Sequence, residues 1–192
     1  MKKIVLSALM ALGLAQAAHA SPITDNLEVF GGYKTANIGG EDLRLNGVEL
    51  GAAKTLTSQG AVYGKIQRIE KDKPDAKFTS GDVGYQHKFN QSGDFDVLGR
   101  LGLGYGKFDL KRDNLDQKSD VLTLPVSIEL SKKVANNVSV YGNVGYELLH
   151  VMDTDTKCAA EVSQAACNAI NKATQSDDHD NFTTGLGLKY AF

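Results

Sequence analysis

From about residue 27 onward, the chain alternates between apolar and polar residues in eight runs, each typical of a β-strand with one apolar face. The clearest run closes the sequence, where every second residue is apolar and the residues between are small or polar. The runs are long enough to cross a bilayer as tilted strands. The predicted strands are 27–38, 43–56, 61–70, 78–89, 95–110, 120–130, 138–153 and 180–192.

The connections between these runs alternate in length. Three are short and rich in Gly, Asn, Asp or Ser, which is turn chemistry; the other four are mostly longer and more charged. Short turns at one end and long polar loops at the other indicate an up-and-down barrel with an even number of strands. The predicted turns are 57–60, 90–94 and 131–137, and the predicted loops are 39–42, 71–77, 111–119 and 154–179.

The alternation also assigns the two faces of most strands. Leu101 and Leu124 lie on the apolar face, whereas Arg100, Glu129 and Glu147 lie on the opposite face. The facing of the second and third runs is left open, because either set of residues could form the apolar side.

The amino terminus has the pattern of a secretory signal peptide. Lys2 and Lys3 precede an apolar stretch at 4–15, and small residues follow up to Ala20. The apolar stretch is too short for a transmembrane helix. We expect cleavage after Ala20, which takes 20 of the 192 residues and leaves one domain, 21–192.

Charge and composition narrow the class further. Removing Lys2 and Lys3 with the signal leaves 19 basic and 23 acidic residues, a formal net charge of −4. This argues against a nucleic-acid partner, which requires a basic face. The 20 glycines fall within the strand runs as well as between them, which suits a curved barrel wall more than a flat soluble sheet.

The runs 98–105 and 138–146 and the terminal strand resemble those of small outer-membrane barrels of the OmpA-like and opacity-protein type. The resemblance implies an all-β, eight-stranded antiparallel up-and-down transmembrane barrel, monomeric, surrounded by outer-membrane lipid and lipopolysaccharide. Its long loops would be extracellular and its termini periplasmic. It also implies that periplasmic chaperones and the barrel assembly machinery recognise the terminal strand. The assembly signal would comprise Leu186, Leu188, Tyr190 and Phe192.

A soluble ligand-binding barrel is the main structural alternative, with the apolar face buried and the strand charges in water. The apolar terminal residue and the glycine-rich opposite face favour the membrane barrel, in which the charges point inward. Buried charges must pair, and Glu28, Lys65 and Lys88 are available as further partners. The predicted interior ion-pair residues are Lys34, Glu49, Asp82, Arg100, Glu129, Glu147 and Lys189.

Counting across the predicted turns places Lys34 opposite Glu49 and Arg100 within one diagonal of Asp82. An eight-stranded barrel is just wide enough to be filled by its own side chains. We therefore expect a polar plug inside the barrel and not an open pore.

The segment 154–179 contains both cysteines, Cys158 and Cys167. In an exported chain we expect them to form a disulfide. A single straight helix between them would hold them too far apart, so the chain must fold back. This loop is the expected surface for a host or surface ligand.

Three functions remain open: a structural or surface-interaction barrel, which we favour, a narrow channel for ions or small solutes, and a lipid-modifying enzyme. Catalysis is disfavoured: of His87, His150 and His179, the catalytic candidate is His150, which has acidic residues near it in sequence but no serine close by. A cation site in the acidic segment 176–180 is also disfavoured. We expect no metal and no cofactor.

Overall fold

The structure is a computed structural model. It describes residues 26–38, 43–71, 75–92, 95–112, 115–158, 167 and 178–192. The predicted signal peptide, and with it the predicted start of the domain at residue 21, lies outside these ranges. Among the described residues, no helix has the length and apolar character needed to cross a membrane.

Eight antiparallel strands form a closed barrel in which each strand pairs with its neighbours in chain order and β8 pairs with β1. The predicted all-β, eight-stranded fold is confirmed. The strands are β1 Leu27–Ile38, β2 Leu43–Thr55, β3 Gly60–Lys71, β4 Asp75–Ser92, β5 Phe95–Arg112, β6 Leu115–Lys133, β7 Val138–Cys158 and β8 Asp178–Ala191.

The barrel closes with a stagger. Following directly paired residues around the wall from Leu27 of β1 leads back to Asn37, ten residues further along the same strand. Such a stagger requires strands that tilt by roughly 35–45° from the barrel axis. Each strand therefore presents alternate residues to the lumen and to the outside.

The outside of the barrel carries a continuous apolar band. On β6 every outward-facing residue from Leu122 to Leu130 is apolar, and each of these residues is more than a third exposed. This stretch of nine residues matches the length of a tilted strand that crosses a bilayer. We call this level the membrane zone. Other members of the band are Tyr33, Val62, Ile66, Val83, Leu101, Leu103, Val144, Tyr146, Leu148, Phe182, Leu186 and Leu188.

Four strands continue well beyond this band at the end opposite the short turns. The protruding wall consists of residues 75–80 of β4, 106–112 of β5, 115–121 of β6 and 149–158 of β7. The predictions of loops at 71–77 and 111–119, and of a loop starting at 154, are therefore wrong in part. Strand structure persists there, but the two faces exchange roles: charged residues face outward and apolar residues face the lumen. The outward apolar pattern that predicts the strands therefore stops before the strands end.

Apolar side chains fill the inside of the barrel at the level of the protruding wall, and we call them the outer apolar layer. Its members come from six of the strands and are nearly or completely buried, with Phe108 and Leu110 of β5 packed against them. The outer apolar layer consists of Ala36, Leu45, Ile69, Ala76, Phe78, Val121, Leu149 and Val151.

Candidate functional site: a filled, charged interior

Two charged networks occupy the lumen at the level of the membrane zone. The central network is built around Lys34 of β1 and Glu147 of β7, which are 3% and 1% exposed. The Lys34 Nζ lies 3.6 Å from the Glu147 Oε2 and donates to the Gln67 Oε1 at 2.5 Å. Gln67 donates in turn to the Glu147 Oε1 at 3.0 Å. The three side chains therefore fix one another's positions.

The central network continues through Lys65 of β3. Its Nζ lies 3.9 Å from the Glu49 Oε2 and 3.7 Å from the Asp82 Oδ2. Each carboxylate also accepts a hydroxyl hydrogen bond, Glu49 from Tyr141 at 2.9 Å and Asp82 from Thr123 at 2.6 Å. These partners offset the loss of hydration, which costs several kcal/mol for an unpaired buried charge.

Glycine on β5 makes room for these contacts. A Cβ on Gly104 would overlap the Asp82 carboxylate and the Thr123 hydroxyl, and a Cβ on Gly102 would overlap the Tyr63 hydroxyl. The bare inward face of β5 therefore lets polar groups of β3, β4 and β6 meet, which explains why glycine lies within this strand.

The lower network lies nearer the short turns. The Arg100 Nη1 is 3.0 Å from the Glu129 Oε2, and Glu129 also pairs with Lys189. Lys189 reaches the Glu28 Oε1 at 3.3 Å. The Arg100 guanidinium lies over the Phe30 ring, 4.4 Å from its centroid. Two cations and two carboxylates are thus matched in charge here.

Buried side chains occupy the lumen at several levels of the described wall. A cluster of Phe30, Ala53, Tyr63 and Tyr141 packs inside the wall beside the two networks, and the outer apolar layer closes the far end. Beside the central network a cavity of about 10 Å³ remains, which is room for roughly one water molecule. The arrangement can hold charges and a water at this level of the lumen.

The residues predicted to form interior ion pairs are all inside the barrel and no more than 6% exposed. Their partners differ from the prediction. Lys34 lies directly across from Gly47, one same-face position from Glu49, and its ion pair crosses the lumen to Glu147. The seven residues are Lys34, Glu49, Asp82, Arg100, Glu129, Glu147 and Lys189.

The predicted proximity of Arg100 to Asp82 is wrong. Arg100 lies across from Gln86, whereas Asp82 lies across from Gly104. The count failed because β4 extends to Ser92 and carries a bulge between Lys88 and Asn90. Both features displace the register of this hairpin.

Several members of the networks were not singled out from the sequence. Tyr141 shares the inward face with Glu147, and Thr123 shares it with Glu129, so alternation could have found both. Lys65, which the sequence offers only as a further partner, belongs to the central network. Alternation in the sequence leaves the facing of its strand open.

The terminal strand is integrated into the closed wall. Leu186 and Leu188 lie in the apolar band at 68% and 38% exposure. The Phe192 backbone N–H donates to the Leu27 carbonyl at 2.9 Å, and the Tyr190 and Phe192 rings are 4.8 Å apart. A role for these four residues in assembly stays a prediction.

Cys158 and Cys167 are joined by a disulfide, with their Cα atoms 6.0 Å apart. Cys167 is also buried, and its Sγ lies 3.8 Å from the Thr156 carbonyl oxygen. The bridge thus ties this part of the segment after β7 back to the protruding wall.

His87 and His150 lie apart from the interior networks. His87 is between Tyr85 and Phe89 near the short turns, with ring centroids 6.4 and 5.1 Å away, and His150 is on the outside of β7. Within the described part of the chain, no group of three or more His, Cys, Asp or Glu residues is arranged to hold a metal ion. The acidic segment 176–177 lies outside that part.

The closed eight-stranded wall with an outward apolar band defines the class: this is the fold of small outer-membrane β-barrel proteins. No protein-family model matches the chain. A comparison with curated proteins also found no match.

Solved structures share this fold at low sequence identity. Neisserial surface protein A is 14% identical, with a TM-score of 0.62, covering 88% of this chain and 98% of its own. Ail, the attachment invasion locus protein of Yersinia pestis, is 17% identical, with a TM-score of 0.57, covering 88% and 99%. The amino-terminal barrel of Pseudomonas aeruginosa OprF is 11% identical, with a TM-score of 0.56, covering 88% and 98%. These similarities establish the fold.

Proposed function

We propose that the chain is an outer-membrane barrel with a structural or surface-interaction role, which anchors and displays its long loops. The observation that carries the proposal is the combination of an outward apolar band with a filled lumen. An apolar exterior suits lipid, and a lumen occupied by ion pairs and apolar side chains leaves the loops and the protruding wall as the surfaces available for binding.

The solved structures of the same fold add support. One is called a surface protein and another an attachment invasion locus protein, and the latter was also solved in complex with a heparin analogue. A sulfated polysaccharide is therefore a reasonable first probe for the loop end of this chain.

Membrane fractionation combined with gel mobility tests the location. The native chain should fractionate with the outer membrane and migrate faster in unheated samples, because a closed barrel resists detergent until heated. Recovery in the soluble periplasmic fraction would contradict the proposal and favour a soluble barrel.

A binding assay tests the surface role. Immobilised heparin should retain the intact barrel and retain less of a variant in which 158–177 is replaced by a short Gly-Ser linker. The control carries the same linker in the short turn between β6 and β7, at residues 135–136. Equal retention of both variants would exclude the segment 158–177 as the binding surface.

A narrow ion channel is the second candidate, favoured by the charged central network and its small cavity. The outer apolar layer opposes it, since apolar side chains close the lumen at that end. We expect no steady conductance in planar bilayers. Conductance that changes when Lys34 or Glu147 is replaced would support the channel and contradict the filled lumen.

We further propose that the terminal strand directs assembly through the barrel assembly machinery. Phe192→Asp should sharply lower the amount of folded, surface-exposed protein, because the resemblance implies an aromatic end to the signal. Phe95→Asp, at the short-turn end of β5, serves as a matched control. Normal folded levels of the Phe192 variant would rule out this role.

A further inference from the structure

The apolar band is interrupted by polar residues on one side of the barrel. Thr184 of β8, Thr35 of β1 and Asn46 of β2 are directly paired in one row across these strands, and each is partly exposed on the outward face. The Thr35 and Thr184 hydroxyls are 2.7 Å apart and hydrogen-bonded. Arg68 of β3 is also outward, and its side chain is 59% exposed. We call these four residues the polar stripe.

The polar stripe lies within the membrane zone and not above it. Because the barrel closes with a stagger of ten residues over its eight strands, residues at one height shift by slightly more than one position from each strand to the next. Arg68 lies two positions below Glu70, which is in the row of Thr35, so Arg68 and Thr35 are at about the same height. Continuing the count through β4 and β5 places Leu124 of β6 at this height as well. The apolar band therefore reaches higher on β6 than on β1 to β3.

Polar side chains at this height are costly if only lipid covers them. Hydroxyl, amide and guanidinium groups need protein partners where water is absent. Within the chain this need is met in part, because the two threonines bond each other and the Arg68 Nη2 lies 3.4 Å from the Glu70 Oε2 on its own strand. That contact uses one of the five N–H donors of the guanidinium. The polar stripe thus keeps hydrogen-bonding groups that face outward.

We propose that the polar stripe is the contact surface for a second copy of this chain in the same membrane. The inference rests on the proposed outer-membrane location, and it departs from the monomer that the family resemblance implies. A two-fold axis along the membrane normal, beside Asn46 of β2, relates the two copies. Strands β1 and β3 flank β2, so the axis brings Arg68 of each copy to Thr35 of the other at equal height.

Chemical complementarity favours a second copy as the occupant. A guanidinium only donates hydrogen bonds, whereas a threonine hydroxyl also accepts them. The two-fold relation makes the contact between Arg68 and Thr35 twice. Asn46, whose amide both donates and accepts, meets its own counterpart near the axis. Polar side chains play the same part between neighbouring membrane helices, while Leu124 and Leu148 on the far side of the barrel stay in lipid.

Energy transfer between copies of the native chain tests the inference. Donor-labelled and acceptor-labelled chains are mixed in phosphatidylcholine vesicles, which contain neither lipopolysaccharide nor another protein. We expect transfer at high dilution in lipid, and a loss of transfer when unlabelled chain is added in excess. Transfer that appears only at crowded density would overturn the proposal. Cell fractionation reports separately on membrane location, so failure of the contact and failure of the proposed function are distinguishable.

Cross-linking in the same vesicles locates the contact on the barrel. Asn46→Cys should form a disulfide-linked dimer under mild oxidation, because the two-fold axis places the two copies of this position side by side. Leu124→Cys introduces a thiol at about the same height on the far side and should stay monomeric. Equal yields of linked dimer from the two positions would contradict the polar stripe as the interface.

Exchanging the two partner residues gives a matched control. Arg68→Thr should weaken the dimer about tenfold, because the hydrogen bonds to Thr35 of the second copy are lost. The double variant Thr35→Arg/Arg68→Thr again places a guanidinium opposite a hydroxyl across the axis and should recover most of the affinity. A double variant that associates no better than the single one would overturn the arrangement. Gel mobility before heating shows whether each variant is folded, and the native-chain measurement decides the proposal where a variant is not.

Discussion

The membrane zone and the protruding wall have the same backbone but opposite side-chain arrangements. In the membrane zone of β6, Leu124 and Val126 face outward, whereas Glu129 faces the lumen. A few residues along the same strand, Lys118 faces outward and Val121 is buried inside. The exterior of one strand therefore suits lipid at one level and water at the next.

The difference shows that closure of the hydrogen-bonded wall is independent of which face is apolar. In lipid, the wall needs only an apolar exterior, and the lumen can hold paired charges. Above the lipid, the exterior is in water, so stability must come from apolar burial inside, as in a soluble protein. The two zones should consequently respond differently to the same kind of substitution.

The largest effect is expected for a buried charge in the membrane zone. Glu129→Ala leaves Arg100 and Lys189 without their shared carboxylate and should lower the free energy of unfolding by about 3–5 kcal/mol. Asp120→Ala removes the partner of Lys107 in a solvent-exposed pair of the wall and should cost about 0–1 kcal/mol. Urea unfolding in micelles, followed by gel mobility, measures both; equal losses would contradict the distinction between zones.

The outer apolar layer should be the corresponding weak point of the wall. Phe78 is fully buried there, and Phe78→Ala should destabilise the barrel by about 3–4 kcal/mol through lost packing and a cavity. Phe182→Ala, in the half-exposed apolar band, is the control and should cost clearly less. If the two variants unfold at the same urea concentration, the wall does not depend on a soluble-type core.

A charge introduced on the outside of the barrel should be costly in the membrane zone and nearly neutral on the protruding wall. Leu124→Arg places a cation in the apolar band and should cost about 2–4 kcal/mol in a bilayer. Met152→Arg places it on the outside of the wall, where the side chain is 59% exposed, and should change stability by no more than about 0.5 kcal/mol. Folding titrations in lipid vesicles measure both, and a similar cost at the two positions would place Met152 within lipid.

The membrane zone is the part that alternation in sequence could predict. Strand β1 was predicted from 27 to 38, as observed, because apolar and polar residues separate cleanly between lipid and lumen. The inward direction of Arg100, Glu129 and Glu147 follows from the same parity. Parity does not predict partners, however, because Lys34 and Glu147 meet across the lumen from strands that are not neighbours.

The protruding wall could not be predicted in the same way. Charged residues between 111 and 119 look like a loop if charge is taken as the inward face, yet Lys118 faces water on strand β6. The bulge between Asp120 and Val121 shifts the register at this level. The sequence of one strand does not show the level at which the exterior changes from apolar to charged, because that level is defined by the apolar band around the whole barrel.

The smallest effect on the barrel is expected from the disulfide. Its bridge joins Cys158, the last residue of β7, to Cys167, which is nine positions further along the chain. Cys158→Ser/Cys167→Ser should therefore leave the urea midpoint of the barrel within about 0.5 kcal/mol of the native value. The bridge should restrict the segment locally by about 2–3 kcal/mol. Protease cutting within 159–177 should accordingly rise in the variant, with the barrel core resistant.

Thiol labelling distinguishes a disulfide between Cys158 and Cys167 from two free thiols. The unreduced, denatured native chain should take up no label, because both thiols are in the bridge. Cys167 also lies against Thr156 at the end of the wall, so the bridge fastens the segment to a strand that the barrel already holds in place. A large fall in barrel stability without the bridge would show that the segment is part of the folded core, and the wall would then owe its order to the loop.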